Sequence, residues 1–490
     1  MSISRRDLLV ASTSAAFLAA LPGVAHSAVA APKGRRPKNI IFCVSDGMSI
    51  GTPSIANHYV QRVEGKKYSR WTELSGREDV HVGMMSTTSL SSYVTDSAAA
   101  SSAWGSGSLV WNGAINTLPD GTELDPILQI LKGKAKMKTG LVSTATITHA
   151  TPAGWAVAEK NRGSEAAIAA GYLKAGCDVY LGGGQSFFSP ELLAKFVEAG
   201  YTTVTSRREM NAARGKVLGL FSKGMVPYEI DRVNDASLSM TVPSLAQMTS
   251  KAIDLLDGSS NGFILQIEGA RIDHAAHGND VAGVVFDQLA FEEAMQVAIE
   301  FAEADGETLV VVTSDHGNSA PVLLGSGSSY FKSTAGLETL ADMRASYEVM
   351  MPKLKTPYTK SAVQDLVQQN LGITLSESEA ELVFQGITGK SPLLAVEQYQ
   401  LPSSHLSLAL TNHTHMCWSG RQHTNEVVPV FAFGPGSEKF AGEYANKDVF
   451  DKLLGLRGLK HTNPSMSWAD AHKLMDAQKQ TAWAEDVHWI

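Results

Sequence analysis

Six short runs of the chain are apolar at consecutive rather than alternate positions and rich in Val, Ile and Leu: 39–45, 139–144, 178–181, 262–267, 308–313 and 427–433. Burial on both faces gives a strand this pattern, and such strands sit in parallel sheets covered by helices on each side. Between the runs the apolar period lengthens to that of a helix, as over 243–256 and 281–303. Strands alternating with helices predict an α/β fold with a doubly covered, mostly parallel central sheet. Ligands of such sheets bind at the carboxyl ends of the strands. From 319 to 412 the chain is helix-rich and polar, with Gly-Ser-Gly-Ser-Ser at 325–329 and Pro-Ser-Ser at 402–404. That stretch is expected as an insertion or cap over the edge or mouth of the sheet. The core then comes in two parts, 38–318 and 413–457, with a tail at 458–490. No repeat of solenoid type is present.

The first residues change the picture of where the chain works. Ser4-Arg5-Arg6-Asp7-Leu8-Leu9 supplies a twin-arginine start, a weakly apolar stretch follows from 8 to 24, and Ala28-Val29-Ala30 offers a small-residue cleavage site. Residues 1–31 therefore read as a signal peptide of the twin-arginine type, and the protein as periplasmic or secreted. The competing reading is a disordered tail that happens to contain Arg-Arg. The apolar stretch is short and rich in Ser and Thr, which speaks against a stable membrane anchor, and no other stretch approaches transmembrane length.

Composition narrows the function classes. The 490 residues carry a formal net charge of -8 and are 44% hydrophobic and 18% charged, which suits a globular protein and gives no electrostatic footprint for nucleic acid. Bound metals can still reverse the field locally for an anionic substrate. Cys43, Cys177 and Cys417 lie far apart without C-x-x-C spacing, so neither a thiolate zinc site nor a disulfide framework is expected.

Candidate chemistry gathers after the apolar runs. The first ends in Ser45-Asp46-Gly47-Met48, a carboxylate before a glycine turn. Thr95-Asp96-Ser97 precedes a run of small residues that starts a helix; Ser97 would sit in the positive field of free N–H groups, unless it or Asp96 is merely an N-cap. Thr148-His149-Ala150-Thr151-Pro152 follows the second run, and Arg162 comes later, where a planar guanidinium could fork onto two phosphate oxygens. The densest cluster is Ile267-Glu268-Gly269-Ala270-Arg271-Ile272-Asp273-His274-Ala275-Ala276-His277. Asp273 and His277 lie four apart, on one face of a helical turn. A further run ends in Ser314-Asp315-His316-Gly317-Asn318, and His423 stands just before the last. Asp46, Asp315 and His316 can hold one zinc ion and Asp273, His277 and His423 another, each with a position left open for chemistry. Asp46, Glu268 and Thr151 form an oxygen-rich third set suited to magnesium.

Together these motifs resemble the alkaline phosphatase family: SDGM at 45–48, TDSAAASSAW at 95–104, THATP at 148–152, IEGARIDHAAH at 267–277, TSDHGN at 313–318 and GRQHTNEVVPVFAFGPG at 420–436. The likeness spans roughly 38–436, minus the insertion. It implies hydrolysis of phosphate monoesters through a phosphoserine on Ser97, with Arg162 as phosphate clamp. It also implies the same two zinc sets and the same magnesium set, and it allows a homodimer. His149 and His274 stand where some bacterial members carry Asp and Lys. His149 opens the third site to zinc, and His274 is expected to touch phosphate through water. Two other readings compete. One is a related hydrolase, such as a phosphodiesterase or a phosphoglycerate-mutase-like enzyme. The other is a metal-binding protein with a vestigial site.

Overall fold

The computed structural model describes residues 36–477; the leader read at 1–31 and the last part of the tail lie outside them. Ten strands form the main sheet. They are β1 (Asn39–Ser45), β2 (Val80–Ser86), β3 (Lys138–Thr146), β4 (Val179–Gly183), β5 (Tyr201–Val204), β6 (Lys216–Leu220), β7 (Phe263–Gly269), β8 (Thr308–Thr313), β13 (Val428–Phe433) and β14 (Gly442–Ala445). Four two-residue strands, β9 (Gly317–Asn318), β10 (Val322–Leu323), β11 (Met416–Cys417) and β12 (His423–Thr424), make two small ribbons at its margin. The order across the main sheet is β14-β2-β13-β8-β1-β7-β3-β4-β6-β5.

The expected doubly covered sheet is present. Along β1 the side chains alternate between two apolar layers, with Ile40, Phe42 and Val44 in one and Ile41 and Cys43 in the other. Trp104 and Trp155 pack on Phe42, each with ring centres 5.1 Å away. The opposite layer is closed by the helix Val281–Asp305 through Phe291, Met295 and Ala298.

One strand departs from the expected direction. β13 pairs antiparallel with both β2 and β8, whereas the other pairings in the main sheet are parallel. Its apolar run, VPVFAF, is as continuous as that of its neighbours, so periodicity carried no sign of the reversal. The consequence is geometric: the start of β13, not its end, lies at the edge where the parallel strands finish. β2, β5, β6 and β14 escaped the sequence reading because their runs are short, polar or interrupted by glycine, as in YTTV and GEYA.

The segment after β9 has its own apolar cluster. Leu340, Met350, Leu371 and Leu406 join Ile55 of the helix Gly51–Tyr59 and Val284 of the long helix. Beneath the sheet edge a buried polar chain runs from Ser45 Oγ to Gln288 (2.9 Å), to Glu292 (3.2 Å) and to the backbone N–H of Trp71 (3.0 Å). It satisfies polar groups that would be costly to bury alone. No helix among the described residues is long and apolar enough to cross a membrane.

Candidate metal centre

Asp46 leaves β1 into a turn that requires glycine: Gly47 has φ +66°, and a Cβ there would overlap Asp273 Oδ1. Glu268 lies in the last residues of β7, and the helix Arg271–His277 follows at once with Asp273 and His277 one turn apart. Asp315 and His316 come directly after β8. His149 and Thr151 begin the helix Ala150–Ala156 beyond β3. The reversed β13 brings its own preceding ribbon to the same edge, where β12 pairs with β9 and His423 lies opposite Asn318. A second glycine contact sets depth. Gly105 on the helix Ser97–Ser106 meets the backbone of Gly154, so the two helices touch closely and Ser101 Oγ donates to the Thr151 carbonyl at 2.6 Å.

The structure brings all twelve candidate residues to one neighbourhood, linked by contacts. His277 Nε2 lies 3.3 Å from Asp273 Oδ2 and 3.1 Å from His423 Nε2, and His423 Nε2 lies 3.6 Å from Asp273 Oδ1. His316 Nε2 is 3.1 Å from Asp315 Oδ2 and 3.8 Å from Asp46 Oδ1. The His316 and His423 rings stack with centres 3.6 Å apart, so the two sets adjoin; Asp273, His316 and His423 are also spaced as a ligand group. Asp46, His149 and Glu268 form a third group, with Thr151 Oγ1 3.4 Å from Asp46 Oδ2. His149 thereby stands with the third set and not merely beside it.

Three imidazoles show how the cluster is prepared for cations. His277 Nδ1 faces the Arg421 carbonyl at 2.7 Å, His423 Nδ1 the Thr95 carbonyl at 2.9 Å and His316 Nδ1 the Gly317 carbonyl at 3.3 Å. A carbonyl only accepts, so each Nδ1 carries a hydrogen and each Nε2 turns inward. With both Nδ1 atoms engaged, the His277 and His423 Nε2 atoms face one another at 3.1 Å, an arrangement that suits a shared cation. Asp46 Oδ1 and Glu268 Oε1 are buried and accept no hydrogen bond of good geometry. These donors fit divalent metals, and the cluster is a metal-binding site.

The electrostatics agree. Burial, then the neighbouring Asp315, Asp273 and Glu268, hold the Asp46 carboxyl well above its ordinary range. Burial pushes Glu268 up to about 7. Burial also opposes ionisation of Asp273, but His277, His423 and His316 outweigh it and hold that carboxyl well below its usual value. At the Asp315–His316 pair, burial disfavours both charges, yet each partner stabilises the other: the carboxyl moves down and the imidazole up. Burial and His316 lower His423 to about 3; burial and Arg162 lower His149 to about 3. Burial and Arg271 hold His274 well below its usual value.

Ser97 begins its helix at the first helical position, while Asp96 is the N-cap and accepts from the Ala99 N–H at 2.9 Å. Ser97 Oγ lies 3.2 Å from His316 Nε2 and is buried. Arg162 reaches across, donating to Asp96 Oδ2 at 3.0 Å and to His149 Nε2 at 2.9 Å. His274 stands edge-on to the His149 ring at 5.5 Å.

Several supports of the site carry little mark in the sequence. By its place before the helix Asp96 reads only as a cap, and in the structure its second oxygen also holds Arg162. Asn318 donates to Asp273 Oδ1 at 2.7 Å and fixes that carboxylate; its place after Asp315-His316-Gly317 was the available signal. Ser143 donates to Glu268 at 2.5 Å, and nothing in its own surroundings marked it.

A cation-binding edge of this kind, with a serine at a helix start and a guanidinium beside it, defines a metal-binding hydrolase acting on phosphate esters. The sequence profile of the alkaline phosphatase family matches residues 37–457. Alkaline phosphatase 3 of Bacillus subtilis (strain 168) is 33% identical over 426 residues, 84% of this chain and 87% of that protein. The solved alkaline phosphatase of Thermus thermophilus superposes with a TM-score of 0.85 at 35% identity, covering 94% of this chain and 100% of that one. A cold-active alkaline phosphatase from a psychrophilic Shewanella sp. gives 0.72 at 29% identity, over 86% and 100%. The chain belongs to the alkaline phosphatase family and is a phosphoric monoester hydrolase.

Proposed function

We propose that Ser97 is the nucleophile, taking the phosphoryl group from a monoester and passing it to water. The observation that carries this reading is the Ser97 hydroxyl 3.2 Å from His316 Nε2, at the start of a ten-residue helix and against the carboxylate–imidazole cluster. Ser97 Oγ releases its proton to solvent and attacks phosphorus, the ester oxygen leaves with the bonding pair and is protonated from solvent, and phosphoserine remains until water adds to phosphorus, giving inorganic phosphate and returning a proton to the serine oxygen. Arg162, braced by Asp96, forks onto nonbridging oxygens and orients phosphorus for in-line attack. Free N–H groups at the helix start favour the anion. Asp46, Asp315 and His316 would hold one zinc ion, Asp273, His277 and His423 another, and Asp46, Thr151 and Glu268 a magnesium ion; when bound, these would supply Lewis-acid charge that acidifies hydroxyls and neutralises the leaving oxygen. His149, grouped with Asp46 and Glu268, makes zinc the rival occupant of the third set.

A dianionic monoester matches this concentration of positive groups better than a monoanionic diester does. The test is a rapid acid quench of turnover on a radiolabelled aryl phosphate. Label is expected on the peptide containing Ser97, and monoester turnover is expected to exceed diester turnover. Label elsewhere, or faster diester cleavage, rejects the reading.

The twin-arginine start supports export, with the enzyme working outside the cytoplasm. Expressed in a bacterium with that export route, the protein is expected outside the cytoplasm with a new N-terminus near Ala30. Its retention unprocessed when Arg5 and Arg6 are intact would refute this.

A further inference from the structure

Arg271 opens the helix that carries Asp273 and His277, yet it belongs to none of the ligand sets. It is 3% exposed, and its guanidinium lies 3.6 Å from the centre of the Tyr228 ring. Its Nη2 meets Glu348 Oε2 at 2.5 Å, and its Nη1 donates to His274 Nδ1 at 2.9 Å. A guanidinium has donors only, so His274 Nδ1 must accept and the ring hydrogen is confined to Nε2. Arg271 thus makes His274 a hydrogen-bond donor at Nε2, beside His149 and, through it, Arg162.

Glu348 comes from the helix-rich segment after β9, from a short helix held in place at its start. The Ser346 backbone and hydroxyl both donate to Asp231, at 2.8 and 2.6 Å, and the Tyr347 N–H donates to Asp280 at 2.6 Å. These bonds tie the 346–348 turn to the core side, so the carboxylate is offered to Arg271 from a fixed base. Side-chain exposure of Glu348 is 50% against 3% for Arg271, which leaves the pair one wet end and one buried end. An ion pair with this asymmetry adds little stability by itself. Its effect is directional, since the carboxylate and the aromatic face together leave the buried guanidinium one orientation.

We propose that Glu348 is a positioning residue through which the 319–412 segment sets the phosphate site. It fixes Arg271, which fixes the donor state of His274. This rests on the catalytic reading above but concerns phosphate binding, so it can fail while the Ser97 assignment stands.

The experiment is a double-mutant cycle on the full, metal-loaded enzyme. Its readouts are KM and kcat for an aryl phosphate, Ki for inorganic phosphate, metal content and Tm. Glu348→Gln is expected to raise KM and Ki by about threefold or more with a smaller change in kcat, at unchanged metal content and Tm. Glu348→Asp is expected to recover part of the loss. In an Arg271→Met background, Glu348→Gln is expected to change neither constant further. Unchanged KM and Ki in Glu348→Gln would overturn the proposal, as would an equal effect in the Arg271→Met background or a loss of metal. A fall in Ki would overturn it too, by showing that Glu348 restrains the guanidinium's charge instead of aiming it.

Discussion

Ser97→Ala is expected to lower kcat on an aryl phosphate by at least about a thousandfold while metal content and Tm stay as in the parent enzyme. The separation of these readouts follows from the structure. The three Asp, Glu and His groups spaced to hold a cation are complete without the Ser97 hydroxyl, so its loss leaves their carboxylates and imidazoles in place. The helix keeps its cap, because Asp96 and not Ser97 accepts from the Ala99 N–H. Alanine suits the first turn, and the stability change should stay within about 0.5 kcal/mol. What remains is slow attack by water on phosphate still oriented by Arg162. Steady-state kinetics and elemental analysis on one preparation decide the matter. Near-normal turnover would remove Ser97 from the nucleophile's role, and a loss of metal would recast it as a ligand.

Chelation is expected to have a second large effect, abolishing turnover and lowering Tm by several degrees to about ten. A cation held at a thousand times its dissociation constant stabilises the folded state by about 4 kcal/mol, and this cluster offers sites for more than one. Without metal the fold keeps Asp46 and Glu268 crowded and buried, with Asp46 held well above the usual carboxylate range and Glu268 pushed up to about 7. Near neutral pH Glu268 takes up protons when cations leave and releases them when cations return, and Asp46 is shifted in the same direction. Adding zinc or magnesium to the stripped protein in weak buffer should therefore acidify it. Calorimetry of the stripped and reloaded enzyme checks both parts. An unchanged Tm with full activity in chelator would dismiss the metal requirement.

The legible parts of the protein were those whose residue patterns can arise in only one or two physical ways. Continuous apolar runs marked β1, β3, β4, β7 and β8, because a strand covered on both faces has no polar side to show. The density of Asp and His after β7 and β8 marked the metal centre, because such residues are costly to bury without cations. Direction left no trace: β13 is as apolar as β8, and only its antiparallel pairing with β2 and β8 reveals that it runs the other way. Supporting contacts were hidden for a different reason. Asp96, Asn318 and Glu348 act by proximity across 66, 45 and 77 residues of chain, and spacing along a sequence does not report such distances.

The reversal of β13 also governs when the enzyme can first exist. His423 reaches the cluster only once β13 has taken its place between β2 and β8, strands that were synthesised long before it. A chain still emerging from the ribosome holds Asp273 and His277 but lacks the last imidazole of their proposed set. On that assignment the pair of cation sites cannot close around a phosphate ester before then, and activity is expected only after synthesis has all but finished.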